Sequence, residues 1–505
     1  MFLIFSSASI AIIVILFLII YFTLIHKELR VYNALKSQNI PGEPFVPIMG
    51  QLREMLKYAK ADKSMQYYID LQLKHGNIFL VTFGPHTRLI IIEPNLMADV
   101  LKKYTKFYVK PSLFRTVFTS MMGEQNLILS EGYAHDRARK MLNPAFSVIN
   151  SQSMVSIMIK QIALAIEKWE KTESNIDLQQ ELNSLSLSII ASSAFGQAFE
   201  TNAEAKHVIM TSTVSVLDAI LYRSLQVPIN QIPLLNKLPL FKKKVIDQGA
   251  KRIAEVAQRM VNDRRMGKSQ SLCKGDDLLD LLLTARDQDG NGFSKQEVKD
   301  EAMAFILAGF ETTGNLMVWS MYILMTHPDV YQDCCNEVDR VLEGQPPNNV
   351  LINELHVIEA VLQETLRLYP PAPYIVRQCI HEHSIGSEEN QIHLPVGVTL
   401  LLNVYALHRS AHYWHDPLIF DYKRWMKNAE GLKPKLAHPF CYLPFSAGNR
   451  SCIGQNFAML EAKVMLAILV QRLHFEIIPG QKIVPISRIM MKTKYGLLAK
   501  ITRRA

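Results

Sequence analysis

Cys452 has the most chemistry in its surroundings. It stands between Gly448 and Gly454, with Arg450 two positions before it and Phe445 seven before it. Glycine permits tight bends and close approaches that a Cβ blocks, and a cysteine presented on such a loop suits a thiolate held under a metal cofactor. A buried structural cysteine in a glycine-containing turn is the competing reading. A second set lies in Ala308, Gly309, Phe310, Glu311, Thr312 and Thr313. A glycine inside a helix costs about 1 kcal/mol against alanine, so Gly309 calls for a packing or functional reason. Thr312, three residues on, shares its face. Gly309 there opens a groove for a small molecule, beside which the Thr312 hydroxyl holds a water. The plain alternative is a threonine bonded back to its own helix with a solvated Glu311. Glu364 and Arg367 form a third set: a spacing of three puts acid and guanidinium on one helix face, a pairing also common on surface helices.

The loop reads in full as F-x-x-G-x-R-x-C-x-G, and on these residues the chain resembles the cytochrome P450 family of haem-thiolate monooxygenases. The stretch from Ala308 to Thr313 is similar to the family's (A/G)-G-x-(D/E)-T-(T/S) motif, and Glu364 to Arg367 is similar to its E-x-x-R. Phe420 to Trp425 stands where the family has F-x-P-E-R-F, with Tyr422, Lys423 and Trp425 replacing the usual Pro, Glu and Phe. The resemblance covers essentially residues 41–505. It implies a mainly α fold with small β-sheets, an α-helical prism with haem b between a long central helix and the cysteine loop.

On the same resemblance, Cys452 is the axial thiolate and metal ligand, pushing electron density toward the opposite ligand. Phe445, Gly448 and Arg450 surround the haem, and Arg450 and Arg377 meet its propionates. His135 stands where the family carries a propionate-binding tryptophan, a departure from the pattern; Arg139, four residues on, keeps the family's arginine. Glu311 and Thr312 are the catalytic proton-delivery pair, while Phe305, Ala308, Gly309 and Thr313 face the substrate. Glu364, Arg367 and Arg424 form a buried structural network. One branch of the family couples its haem covalently through a glutamate where this chain has Ala308, so no such bond is implied.

These residues need elements to hold them. A capping box at Ser294 and Glu297 starts a long helix over 294–326, which His327 and Pro328 end. Runs at 78–83 and 87–92 read as a hairpin joined through Gly84 and Pro85. Phe457, Leu460, Val464, Ala467 and Ile468 predict an amphipathic helix behind the cofactor, its positive N-terminal end near Gly454 aimed at the sulfur. Asp287, Asp289, Asn291 and Gly292 begin like an EF-hand loop, but the twelfth position is Val298, so a turn is the better account.

With 505 residues, 49% of them hydrophobic, and no long polar linker, the chain has material for one large core. Residues 1–25 read as an uncleaved transmembrane anchor, 26–50 as a basic, Pro-rich linker, and 51–505 as the haem-binding domain. Lys27, Arg30 and Lys36 after the anchor place the bulk on the cytosolic face, by resemblance that of the endoplasmic reticulum. Apolar residues over 225–240 beside Lys242, Lys243 and Lys244 have the composition of a surface dipping into membrane lipid.

The net charge of +9 comes from scattered lysines and arginines, which argues against nucleic acid and for an acidic protein partner or anionic lipid. Six cysteines without a C-x-x-C pair fit a reducing compartment. There is no dinucleotide fingerprint, so electrons from NADPH must arrive through a partner. By resemblance this is the NADPH-dependent cytochrome P450 reductase, with cytochrome b5 as a second donor, docking near Arg137, Lys140 and the cysteine loop. The substrate class is lipophilic: fatty acid, sterol, terpenoid or xenobiotic. An isomerase or dehydratase of the same fold, needing no external electrons, and a non-catalytic haem protein are the alternatives.

Overall fold

The computed structural model describes residues 14–15, 18, 21–172, 175–224, 238–273, 276–428, 430–432, 434–487 and 489–504. The anchor expected over 1–25 lies largely outside the described residues, as does most of the apolar stretch over 225–240. No helix among the described residues is long and apolar enough to cross a membrane.

Helix α1 (Lys27–Lys36) buries Val31, Tyr32 and Leu35 against the domain. The Glu28 carboxylate accepts the Thr87 amide at 2.9 Å and lies 3.0 Å from His86 Nδ1. Beyond it, Gln51 donates to the Pro44 carbonyl at 2.8 Å and accepts from Thr82. A Cβ at Gly42 would lie 2.4 Å from the Leu80 carbonyl oxygen. Residues 27–51 are thus built into the domain rather than strung as a linker. Lys27, Arg30 and Lys36 are the exposed charges of a helix whose remaining face is core.

The expected hairpin forms as β1 (Ile78–Phe83) and β2 (His86–Ile91), with Phe83 opposite His86. Gly84 takes a left-handed φ of 58° in the two-residue turn. With β3 (Tyr108–Val109), β4 (Tyr374–Cys379) and β5 (Thr399–Asn403) the hairpin makes a five-stranded sheet in the order β1-β2-β5-β4-β3. The pairing of β2 with β5 is parallel and the others are antiparallel. Smaller sheets lie elsewhere, one of them the pair Pro485–Ser487 and Met491–Thr493.

The rest is mainly helical. The helices that reach the site are α2 (Ser112–Met122), α3 (Gly132–Leu142), α4 (Leu178–Phe195), α5 (Lys295–Thr326), α6 (His356–Leu368) and α7 (Gln455–Arg472). The central helix α5 starts where the capping box places it: Ser294 Oγ accepts the Glu297 amide at 3.1 Å, and Glu297 accepts the Ser294 amide at 2.7 Å. Asp287 accepts the amides of Asp289 and Asn291 and pairs with Arg137, so the acidic loop is a turn leading into α5.

Two glycines let α4 press against α5. A Cβ on Gly309 would stand 2.8 Å from Ile190 Cγ1, and one on Gly314 would stand 2.9 Å from Asn183 Cα. The cost of Gly309 therefore has a packing reason on the side of the helix turned toward α4. Helix α7 departs from its expected pattern: every residue from Glu461 to Val470 is buried. A helix enclosed on all sides is not amphipathic, and the threes-and-fours spacing recorded only part of its contact surface.

Glu364 and Arg367 on α6 are both fully buried. The guanidinium grips the carboxylate through two bonds of 2.8 and 2.9 Å and donates to the carbonyls of His408, Pro417 and Ile419. Glu364 also accepts from Arg424 at 3.3 Å, the Asp421 amide at 3.0 Å and Trp425 Nε1 at 2.9 Å. Trp425, a departure from the family pattern, adds a donor that phenylalanine lacks. Replacing Trp425 with Phe should cost about 1.5–3 kcal/mol, the range for a hydrogen bond to a charged group. Urea unfolding of the variant should show a lower midpoint with an unchanged slope.

Candidate active site

The cysteine loop is held from four directions. Ser446 and Gly448 take left-handed φ of 60° and 73°, and a Cβ on Gly448 would stand 1.9 Å from the Leu101 carbonyl oxygen. The Cys452 amide donates to the Phe445 carbonyl at 2.9 Å, closing the loop on itself. Arg139 on α3 donates to the Ser451 carbonyl at 2.6 Å. Arg450 donates to the Ser130 carbonyl at 2.6 Å and pairs with Glu131. Gly454 is different: its φ is −84° and a Cβ there would lie 4.0 Å from Cys452 Sγ. Space and strain thus give a reason for glycine at 448, while Gly454 lines the cavity itself.

His408 connects the loop to the Glu364 network. It is fully buried, and burial pushes its pKa down to about 3, so the ring is neutral. The Leu443 amide donates to Nε2 at 2.9 Å, which leaves Nδ1 to carry the proton toward the Arg367 carbonyl at 3.1 Å.

Cys452 opens on a cavity of about 470 Å³ bounded mainly by apolar side chains. The opposite wall is α5, where Ala308, Gly309, Glu311 and Thr312 are accessible within an otherwise buried run of helix. Phe305 is buried in that wall, edge-on to Phe146 at 5.0 Å between ring centres, and the Thr313 hydroxyl is buried without a partner among the described residues. Phe445, Phe114, Leu217 and Met490 bring further segments to the lining. The Thr312 hydroxyl donates to the Ala308 carbonyl at 2.7 Å, which leaves its lone pairs to accept from a water in the cavity. Glu311 is not simply solvated: it is half-buried, 3.8 Å from Lys492 Nζ.

One side of the cavity is crowded with positive charge. Lys110, Arg139, Arg377 and Arg450 line it, with Glu131 close by. Burial, reinforced by the neighbouring Arg450, pushes Lys110 down to about 7 and Arg377 down to about 10. Such crowding costs energy until an anion arrives, and the two propionates of a haem supply that charge. The cation-rich edge, the apolar walls and the facing thiol together fit the haem expected from the resemblance. Lys110 and Glu131 have no signature in the sequence, because neither shares a helical spacing with the other members of the cluster.

His135 lies in the cavity where the resemblance implies a cofactor contact. It lines the cavity and is buried, not a surface helix residue, but burial pushes its pKa down to about 4. The neutral ring directs Nδ1 to Asp136 at 3.0 Å, so Nε2 bears a lone pair, and a carboxylate arriving there favours the doubly protonated ring. Arg137 is also committed inside the protein, to Asp287 at 2.7 Å and Glu297 at 3.0 Å, which removes it from the expected docking face. Lys140 remains exposed.

Comparison with known proteins agrees with this geometry. A family model described as "Cytochrome P450" matches residues 40–499. A protein named "Cytochrome P450 72A15" from Arabidopsis thaliana is 27% identical over 499 residues, covering 93% of each chain. "Cytochrome P450 CYP72A219" from Panax ginseng is 29% identical over 491 residues, covering 92% of this chain and 91% of that one. Among solved structures, "Crystal structure of cytochrome P450DA heme domain" superposes with a TM-score of 0.78 at 24% identity, covering 92% of this chain and 98% of that one.

Two outcomes test the loop. Burial pushes the Cys452 thiol up, only partly offset by the Gly454 amide and Arg139, so the cofactor-free protein carries the proton at neutral pH. Ligating iron releases it, and haem affinity should rise by about tenfold per pH unit between roughly pH 6 and 8. Haem titration at several pH values reads that slope, which Cys452→Ser should abolish. Gly448→Ala should lose haem on purification, with strain of about 1–3 kcal/mol or more.

Proposed function

The chain belongs to the cytochrome P450 family and is a haem-thiolate monooxygenase, and we propose that it oxidises a lipophilic small molecule with electrons delivered from NADPH by a membrane-bound flavoprotein reductase. The observation that carries this reading is the cavity: Cys452 on one wall, Glu311 and Thr312 on the other, and mostly hydrocarbon between them. When bound, the haem supplies the redox chemistry that activates dioxygen. Cys452 ligates the iron, and the positive end of α7 and Arg139 favour its anionic form. Lys110, Arg377 and Arg450 hold the propionates. Thr312 accepts from a water and Glu311 passes protons inward from the Lys492 side. The apolar walls exclude bulk water and orient the substrate.

Exposed lysines support a docking face for the electron donor. Lys102 and Lys103 are exposed beside Gly448, whose added Cβ would come within 3.6 Å of Lys102 Cα, and Lys140 is exposed on α3. This face, rather than Arg137, suits an acidic partner. Membrane association on the cytosolic face of the endoplasmic reticulum is part of the same reading. It rests on the apolar residues 1–25 and on exposed Leu238, Leu240 and Phe241 followed by Lys242, Lys243 and Lys244.

Thr312→Ala and Glu311→Gln should keep the carbon monoxide complex of the reduced enzyme unchanged. Coupled product formation should fall on the order of 10²-fold, with NADPH still consumed and its electrons appearing as hydrogen peroxide. Unchanged coupling in both variants would remove these residues from proton delivery. Lys102→Glu with Lys103→Glu should raise the reductase concentration needed for half-maximal rate and flatten its salt dependence; an unaltered dependence would place docking elsewhere.

A further inference from the structure

Glu301 is a fully buried carboxyl in the wall of a cavity that is otherwise mostly hydrocarbon. It belongs to the α5 stripe Glu301, Phe305, Ala308 and Thr312, spaced to lie on one helix face, and all of these residues line the cavity. Apart from Glu311 it is the sole acid among the described lining residues. The Leu127 amide bonds the carboxyl, while Oε2 has no hydrogen-bond partner among the described residues.

Neighbouring acids differ. Asp300 accepts from the Gln125 amide and from Gln296 and lies 3.6 Å from Lys299, and so is spent on structure. Glu461, buried with an unmet oxygen of its own, faces Ser186 away from the cavity lining. Thr313 and Ser446 also bring unmet hydroxyls to the lining, but Glu301 is the one carboxyl with an unmet oxygen among the described lining residues, and a buried polar atom left unpaired is costly unless something meets it.

The electrostatics select the ligand's polar group. Burial, with Glu297 and Asp300 adding to it, pushes the Glu301 carboxyl up to about 8. At neutral pH it is mainly the neutral acid, which both donates and accepts. A neutral hydroxyl matches that pattern, whereas an ammonium needs the carboxyl ionised against its surroundings. From Glu301 the helix rises about 10 Å to Ala308 and about 16 Å to Thr312.

We propose that Glu301 is a specificity-determining residue: it holds the hydroxyl group of an otherwise lipophilic substrate while a carbon about 10–16 Å away is oxidised beside Ala308 and Thr312. The substrate class is then a long-chain or fused-ring alcohol. This rests on the monooxygenase reading of the same cavity.

The test uses full-length, haem-loaded enzyme and spin-state titration with two matched pairs: dodecanol and its methyl ether, and cholestanol and its methyl ether. In each pair the ether keeps the acceptor and loses the donor. At least one alcohol should bind about threefold to tenfold tighter than its ether, the yield of one neutral hydrogen bond. Glu301→Leu should erase the preference and Glu301→Gln, which also donates and accepts, should keep most of it. Equal binding of alcohol and ether in both pairs, no binding of either alcohol, or a preference that survives Glu301→Leu overturns the proposal. Tighter binding of dodecylamine than dodecanol, lost in Glu301→Gln, would reassign the subsite to cations and also overturn it. The carbon monoxide complex, recorded on every variant, separates the two readings: a missing thiolate signature overturns the monooxygenase reading itself, while an intact one with no alcohol preference overturns only the role of Glu301.

Discussion

A carboxylate with no access to water must be answered by donors from within the protein, and Glu364 is answered from four places. Arg367 comes from its own helix; Arg424, the Asp421 amide and Trp425 come from a segment more than fifty residues later. Burying a charge is tolerable only when the pairing is complete, so this later segment has no freedom to sit elsewhere. Arg367 in turn fixes the carbonyls of His408, Pro417 and Ile419, and His408 receives the Leu443 amide two residues before Phe445. The cysteine loop is thus reached by an unbroken chain of hydrogen bonds that begins at one buried acid.

The cavity is organised by unequal distribution of polarity. Its cationic edge gathers Lys110, Arg139, Arg377 and Arg450, and burial first, with the neighbouring Arg450 second, lowers the proton affinity of Lys110 and Arg377. The rest is mostly hydrocarbon, interrupted on α5 by Glu301, Glu311, Thr312 and Thr313. A dianionic, largely apolar cofactor finds both features in one place, and the room left beside it favours molecules that shed water readily.

What was legible in the sequence was whatever is written contiguously. The Cys452 loop, the Ala308 to Thr313 stretch, the Ser294 capping box and the hairpin turn at Gly84 are each short strings whose meaning is local. Residues whose roles arise only when distant segments meet were hidden. Lys110 and Glu131 join Arg377 and Arg450 across more than two hundred positions, and nothing in their own neighbourhoods announces it. Trp425 looked like a loss against the family pattern until its indole was seen to serve Glu364. The reason for Gly309 depended on Ile190, on another helix, and the burial of α7 on the elements around it. His135 had a legible position, but its charge state is a property of the fold.

Helix α1 changes what counts as the beginning of the folded unit. Its carboxylate Glu28 is bonded to the second strand of the sheet, and Val31, Tyr32 and Leu35 are part of the same core as Phe79, Leu89 and Ile90. A cut made within or after this helix removes interior rather than a tether, and leaves an uncovered apolar face on the sheet. The residues just before this helix, Tyr21–His26, are helical and run directly into it. A truncation that begins before Glu28 keeps that edge of the sheet covered.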